Sequence, residues 1–288
     1  MLSDLGLTLR RPRFRRSRRG VAGVVIILCV FLGALGADAL APDGPYTPHL
    51  LERRHGLSLR HPFGQDELGR DNLNRVLHGA RLSLGVGVGA AALALIAGAS
   101  LGMAAGMVGG WLDSLIVGLA DMVLAFPTLL LALVLMMLLG RGLVSATVAV
   151  SFAAMPAFVR LARIGVIRAR QQEHVLAARA VGVPPGRLIL RHILPDILPP
   201  LIVQAMLCIG TAILEVAGLS FLGLAAQPPA PEWGAMITQG RGAVFAAPHI
   251  LLFPAWRSCS PCWGSTCWAM ACATCSIHGP ICECACDE

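Results

Sequence analysis

Long apolar runs, each close to the length of a membrane crossing, dominate this sequence. They cover residues 21–40, 83–107, 121–139, 144–159 and 197–224, and a sixth begins near Ala243 and breaks off around Pro254. About twenty helical residues, rising ~1.5 Å each, cross a hydrocarbon core about 30 Å thick. With 56% hydrophobic and 14% charged residues, the chain has more apolar surface than one soluble core would bury. The pattern predicts an all-α, polytopic membrane protein with about six transmembrane helices, the sixth disrupted.

A block of arginines precedes the first run and predicts the orientation of the chain. Seven arginines lie between Arg10 and Arg19, and basic residues beside a span are held on the cytoplasmic side. The run from Val21 to Leu40 is too long for a signal peptide and lacks a small-residue cleavage site. We therefore expect an uncleaved first helix, a cytoplasmic N-terminus and an external polar stretch over 42–81.

The composition argues against two other classes of protein. The chain contains no lysine, so it has no phosphate-binding loop of the G-x-x-x-x-G-K-[ST] kind and does not hydrolyse ATP by that route. Its net charge of +7 could suggest nucleic acid. The arginines, however, lack the folded, aromatic-bearing basic surface that such binding needs.

Residue types within the runs predict some local features. The second span is rich in Gly and Ala, which lets helices approach closely, so we expect it to pack inside the bundle. Pro127 predicts a kink in the third span. Seven arginines between Arg160 and His192 predict a cytoplasmic loop. Within it we expect a helix over 171–181 ended by Gly182 and a proline pair, then an amphipathic piece over 187–194.

The residues of this loop resemble the coupling loop of ABC importer permeases. Two alanines are followed by a glycine four residues on and by Leu-Pro twelve residues further on. The resemblance implies a short helix that docks in a groove of an ATPase subunit. The residues concerned are Glu173, Ala177, Ala178, Arg179, Gly182, Leu194 and Pro195. Leu176 stands where the family usually has Glu, a departure also common in the peptide-importer branch.

A second segment narrows the resemblance to one branch of the family. The motif before the second span resembles the hallmark of the C-type permease subunit of the dipeptide, oligopeptide and nickel importers. It comprises Gly64, Asp66, Gly69, Arg70, Asp71, Gly79, Ala80 and Arg81. Read as structure, Asp66 or Asp71 could cap a short interfacial helix, and the arginines could pair with neighbouring acids. His61 and His78 lack ligand-like spacing, so we expect no metal site.

A third match covers residues 218–224 and the segment 227–236. It resembles the end of the family's fifth span and the external segment after it, where Trp233 suits a membrane-interface anchor. Together these matches extend over residues 10–254. We divide the chain into an N-terminal part (1–60), a permease domain (61–254) with a coupling loop (160–196), and an anomalous tail (255–288).

The resemblance implies a transporter subunit rather than an enzyme. Such a chain is pore-forming, lies in the bacterial inner membrane and binds no cofactor itself, since ATP and Mg belong to partner subunits. The expected partners are a second permease, two ATPase subunits, an extracytoplasmic binding protein and lipid, without nucleic acid. The expected substrates are di- and oligopeptides, with nickel or another small solute as the alternative.

Two carboxylates lie within or beside the predicted spans. Intramembrane ionisable residues are functional candidates by default, which makes Glu215 and Asp121 candidates for the translocation path. Asp121 could instead lie at the membrane interface, and Glu215 could have a local hydrogen-bonded role. A proton-coupled secondary transporter, the alternative from another class, would need more paired titratable groups in the spans.

The tail differs in character from the rest of the chain. Eight of the ten cysteines lie beyond residue 258, and Cys272, Cys275, His278 and three more cysteines could hold zinc. With synonymous codons chosen freely, however, a one-base shift across Ala255 to Pro280 gives a sequence resembling the end of the family's sixth span. We therefore expect a frameshift near codons 254–255, with a zinc-binding membrane metalloprotein as the alternative.

Overall fold

The computed structural model of the chain describes residues 18–40, 44–49, 56–58 and 61–243, together with 253, 254, 256 and 258. Over these residues the regular structure is helical, which confirms the all-α expectation. The first helices are α1 (Arg18–Leu35), α2 (Ala37–Leu40), α3 (Asn72–Val108), α4 (Gly110–Leu124), α5 (Thr128–Leu139) and α6 (Leu143–Ala169). They are followed by α7 (Glu173–Ala180), α8 (Pro185–Leu188), α9 (Leu194–Phe221) and α10 (Trp233–Gly240).

Several helices have the length and hydropathy of membrane spans. In the described part of the chain these are Asn72–Val108, Leu143–Ala169 and Pro185–Phe221, and the pair α4 and α5 makes a fourth if it counts as one bent span. Large apolar side chains remain exposed on them, among them Met137 at 84% and Val144 at 78%. Such surfaces are expected to contact lipid or another membrane subunit.

The centre of the bundle is the contact between α3 and α6, and glycines make it close. Gly98, Gly102 and Gly106 lie one helical turn apart on α3, and a Cβ on Gly102 would lie 2.3 Å from the carbonyl oxygen of Val159 on α6. No side chain larger than hydrogen fits at that distance. The expectation that the Gly- and Ala-rich span packs inside the bundle is confirmed.

The third span differs from its prediction. It begins at Gly110 rather than Asp121, and it is two helices bent by 97° with respect to each other rather than one kinked helix. Pro127 lies at the break and precedes α5. Proline cannot donate the backbone hydrogen bond that would continue α4, so the helix ends before it.

The helices on both sides of the predicted loop are longer than expected. α6 continues to Ala169 rather than ending at Val159, so several loop arginines lie on a helix. The amphipathic piece predicted over 187–194 is helical and continues into α9 without a break. A π-helical stretch, Ile189–Ile193, joins α8 to α9, with Leu194 N donating to Ile189 O. Pro195 comes directly after Leu194 and has no N–H, so it cannot donate a backbone hydrogen bond at this junction.

Candidate functional site

The short helix α7 has one face in the core and the opposite face exposed to solvent. Val175 is fully buried and anchors the helix in the core beside α6 and α9. Glu173, Ala177 and Ala180 are exposed, while Ala178 is half-buried against the same core. One face of α7 therefore holds the helix in place and the other offers small side chains to a contacting surface.

The end of α7 is held by backbone hydrogen bonds around Gly182. Gly182 has a φ of +83°, a conformation that costs an L-residue about 1–2 kcal/mol. Its N–H donates to Arg179 O over 3.0 Å, and Val183 N–H donates to Ala178 O over 3.2 Å. This pair of bonds is the Schellman arrangement that ends helices at glycine. The predicted end of the helix at Gly182 is confirmed.

Two contacts join α7 to the start of α9. The His174 Nε2 atom lies 3.1 Å from the Asp196 Oδ2 atom. Val183 and Leu194 pack against the core cluster that contains Val175 and Leu188. Pro195, in the first turn of α9, is exposed. Helix α7 and the first turn of α9 are therefore in direct contact, through an ion pair and through a shared core.

The motif before α3 forms a buried polar group that we call the arginine–aspartate cluster: Asp66, Arg70, Arg75 and Gln239. The Asp66 carboxylate accepts hydrogen bonds from Arg70 Nε at 2.7 Å and Arg75 Nη1 at 2.8 Å. The Gln239 Oε1 atom accepts from Arg70 Nη2 at 2.9 Å and Arg75 Nη2 at 3.0 Å. The predicted pairing of arginine with a neighbouring acid is confirmed for Asp66.

Asp71 caps the long helix α3 rather than a short interfacial helix. Its Oδ1 atom accepts from Leu73 N at 2.8 Å, and its Oδ2 atom lies 3.0 Å from His61 Nδ1. Gly64 O accepts from Asn72 N at 3.1 Å. Gly69 has a φ of +75°, and a Cβ there would lie 1.9 Å from His49 O. These residues of the motif therefore fix the start of α3.

Gly79, Ala80 and Arg81 connect α3 to other elements. A Cβ on Gly79 would lie 2.0 Å from Pro231 O, and Ala80 packs in the buried cluster around Val30 of α1. Arg81 donates to Ala34 O at 2.6 Å and to Asp38 Oδ2 at 2.9 Å. The motif thus ties α1, α3 and the segment before α10 together.

Trp233 is not an interface anchor, and that prediction is wrong. Its side chain is fully buried, and its Nε1 atom donates to Val76 O at 3.0 Å. Glu232, next to it, caps α10 by accepting from Gly234 N and Ala235 N. The carbonyl that satisfies the indole comes from α3, far away in the sequence.

The two carboxylates predicted for the path both have partners. Asp121 accepts from Arg160 Nη2 at 2.5 Å, with both side chains half exposed. The partly buried Glu215 of α9 lies beside Thr128, the first residue of α5. Asp121 is therefore part of the broken span, and Glu215 lies next to it, beside the start of α5.

Sequence reasoning missed several residues of these sites. Arg75 and Gln239 complete the arginine–aspartate cluster, and Arg163 pairs with Asp113 at 2.5 Å. The signal for Arg75 was its position at the start of an apolar helix, because an arginine that is buried there requires a partner. No three His, Cys, Asp or Glu side chains are grouped as metal ligands within the described ranges, which include none of the eight tail cysteines.

Known proteins are similar to this chain over most of its length. Residues 98–255 match the family of binding-protein-dependent transport system inner membrane components. The dipeptide transport system permease protein DppC of Alkalihalophilus pseudofirmus is 44% identical over 242 residues, covering 84% of this chain and 80% of the relative. The glutathione transport system permease protein GsiD of Escherichia coli is 40% identical over 244 residues, with the same coverage of both chains.

These matches extend over the α3–α6 core, the broken span and α7. Members of the family are permeases without catalytic activity or a bound cofactor of their own, and ATP is hydrolysed by a partner. The chain therefore belongs to the family of binding-protein-dependent transport system inner membrane components, as a multi-pass permease subunit of an ABC importer.

Proposed function

We propose that this chain is one of two pore-forming subunits of an ATP-driven importer of di- and oligopeptides. In this proposal residues 61–254 form the permease domain of a six-helix type I fold, and the N-terminus is cytoplasmic. The start of α3 and helix α10 then lie on the extracytoplasmic side, and α7 lies in the cytoplasm. The seven arginines between Arg10 and Arg19 support this orientation.

The exposed face of α7 is the observation that carries the proposal. Ala177, Ala180 and Val181 are exposed, Val181 at 85%, on a helix whose opposite side is anchored by Val175. An apolar, small-residue surface on a rigid helix suits close contact with another protein. The segment from Glu173 to Gly182 would dock on an ATPase subunit, with Arg179 at the edge of the contact. His174 and Leu194-Pro195 would pass the movement to α9.

The other partners follow from the same proposal. A second permease would cover part of the exposed apolar surface of α5 and α6, lipid would cover the rest, and a binding protein would deliver substrate. Asp121 and Glu215 would line the path beside the broken span. Charged groups that are half exposed on a span avoid lipid and face water or protein.

Peptides are favoured over nickel by the names of the relatives. One is a dipeptide permease and another a glutathione permease, and glutathione is itself a small peptide.

Uptake by the assembled importer tests the proposal. The chain would be co-reconstituted with the second permease, ATPases and binding protein of its importer, in two forms: with the given sequence, and with the shifted reading frame restored over 255–280. We expect ATP-dependent uptake of labelled dipeptides by the restored form and reduced uptake by the printed form. An inactive ATPase variant provides the background. Uptake of nickel but of no peptide by the restored form would refute the peptide assignment.

A further inference from the structure

A cavity of about 500 Å³ lies beside the arginine–aspartate cluster, between the start of α3 and the segment that leads into α10. Asp66, Arg70, Asn72, Arg75 and Gln239 contribute polar walls, and Leu68, Pro228, Pro229 and Met236 contribute apolar ones. A volume in this range is typical of sites for small molecules. The cavity is far along the chain from α7 and has no part in its docking.

The two arginines of this wall are held by a single, deeply buried carboxylate. Two guanidinium groups share one carboxylate, although Asp66, Arg70 and Arg75 are only 4%, 6% and 1% exposed. Glu67 also lines the cavity, is half-buried and already has an interaction of its own. With Glu67 counted, the wall holds two arginines and two carboxylates, so it would select a ligand through its hydrogen-bonding groups rather than through net charge.

Three cavity-lining residues also leave a buried polar atom without a hydrogen-bond partner among the described residues. They are the Arg75 Nε atom, the Gln239 Nε2 atom and the Asn72 Oδ1 atom. The first two are donors and the third is an acceptor. Buried polar groups are normally paired, so these atoms indicate a ligand that accepts hydrogen bonds and also offers an N–H.

We propose that this cavity binds the free carboxylate end of a short peptide. The carboxylate would accept from Arg75 and Gln239, a peptide N–H would donate to Asn72, and the terminal side chain would contact Met236 and Pro229. The proposal rests on the proposed function for its side of the membrane and its substrate class. It adds a peptide subsite in the permease itself, at the entrance, separate from the binding protein.

Gln239→Glu is the decisive variant. A glutamate keeps an oxygen to accept from Arg70 and Arg75, so the cluster retains both hydrogen bonds. It removes the Nε2 donor, adds a negative charge at that position and repels a carboxylate. Gln227→Glu adds the same charge to an exposed position of the same segment and is the matched control.

The test is direct binding of labelled dialanine to the full importer in nanodiscs, without binding protein. We expect saturable binding by the wild type and by Gln227→Glu, and binding at least about tenfold weaker by Gln239→Glu. Dialanine amide, which lacks the carboxylate, should compete at least about tenfold less well. A melting temperature for Gln239→Glu equal to that of the wild type shows that the fold is intact.

Three results would overturn the subsite: equal binding by Gln239→Glu, equal competition by the amide, or no saturable binding by the wild type. If instead Gln239→Glu weakens only the docking of the binding protein, the cavity receives an acidic side chain of that protein and the peptide subsite is refuted. A measurement of peptide uptake distinguishes failure of the subsite from failure of the proposed function. Normal peptide uptake without binding in nanodiscs rejects the subsite alone.

Discussion

Arg160 of α6 donates two hydrogen bonds to the Oδ1 atom of Asp121 on α4, at 3.1 and 2.5 Å. One turn further along α6, Arg163 pairs with Asp113, which lies near the start of α4. These two ion pairs attach the first half of the broken span to the α3–α6 core. A charged pair that is half exposed on a span must face water or another protein rather than lipid.

Exchanging the two charges tests the role of this attachment. Asp121→Arg alone places like charges together and should reduce peptide uptake strongly. Arg160→Asp should do the same. The double variant, Asp121→Arg with Arg160→Asp, restores an ion pair and should recover a large part of the uptake in the reconstituted importer. A double variant as inactive as either single variant would show that the pair does not act through its mutual attraction.

The arginine–aspartate cluster makes a prediction about stability. Asp66→Asn leaves two buried guanidinium groups without their carboxylate and should lower the free energy of unfolding by about 3–5 kcal/mol. Asp38→Asn removes a carboxylate that also pairs with an arginine but is 74% exposed, so its effect on stability should be far smaller. Urea unfolding of the chain in detergent measures both. If the two variants lost equal amounts of unfolding free energy, the importance of burial at Asp66 would be contradicted.

The glycines of α3 make a prediction about helix packing. Gly102→Leu inserts a side chain where a Cβ alone would lie 2.3 Å from Val159 O, so α3 and α6 must separate. We expect a loss of folded protein in detergent, with a cost of about 3 kcal/mol or more. Gly85→Leu lies on the same helix with nothing within 4 Å of its Cβ and should be tolerated. An unaffected Gly102→Leu protein would contradict the close contact.

Gly182 makes a prediction about coupling. Gly182→Val strains a left-handed backbone position by about 1–2 kcal/mol and should displace the end of α7. We expect ATP hydrolysis by the importer to continue while peptide uptake falls several-fold. Gly186→Val is the control, because Gly186 lies in the same loop with open space around it and without a positive φ. Normal uptake by Gly182→Val would contradict the docking role.

Local signals predicted the elements that local chemistry fixes. The helix predicted over 171–181 is observed over Glu173–Ala180, because Gly182 and the prolines end it wherever the rest of the fold lies. The Asp71 cap and the close approach of the α3 glycines also follow from residue type and position. These features need at most the neighbouring turn or one helix partner.

Features that depend on distant partners were missed. The third span was predicted to start at Asp121, whereas α4 begins at Gly110, and the arginines of α6 that pair with Asp113 and Asp121 are not visible as partners from the sequence. Trp233 satisfied the rule for interface tryptophans, yet its indole N–H is paired with a carbonyl of α3. The proposals about the tail concern residues 255–288, which lie outside the described residues apart from Trp256 and Ser258.

Photo-crosslinking from α7 tests the central claim most directly. A benzoyl-phenylalanine at Ala177, on the exposed face of α7, should form a covalent adduct with the ATPase subunit when the assembled importer is irradiated. The same residue at Val88, 52% exposed on α3, should form none with the ATPase. An adduct at position 177 alone is the predicted result. No ATPase adduct at position 177, or equal adducts at both positions, would contradict docking of the ATPase on α7.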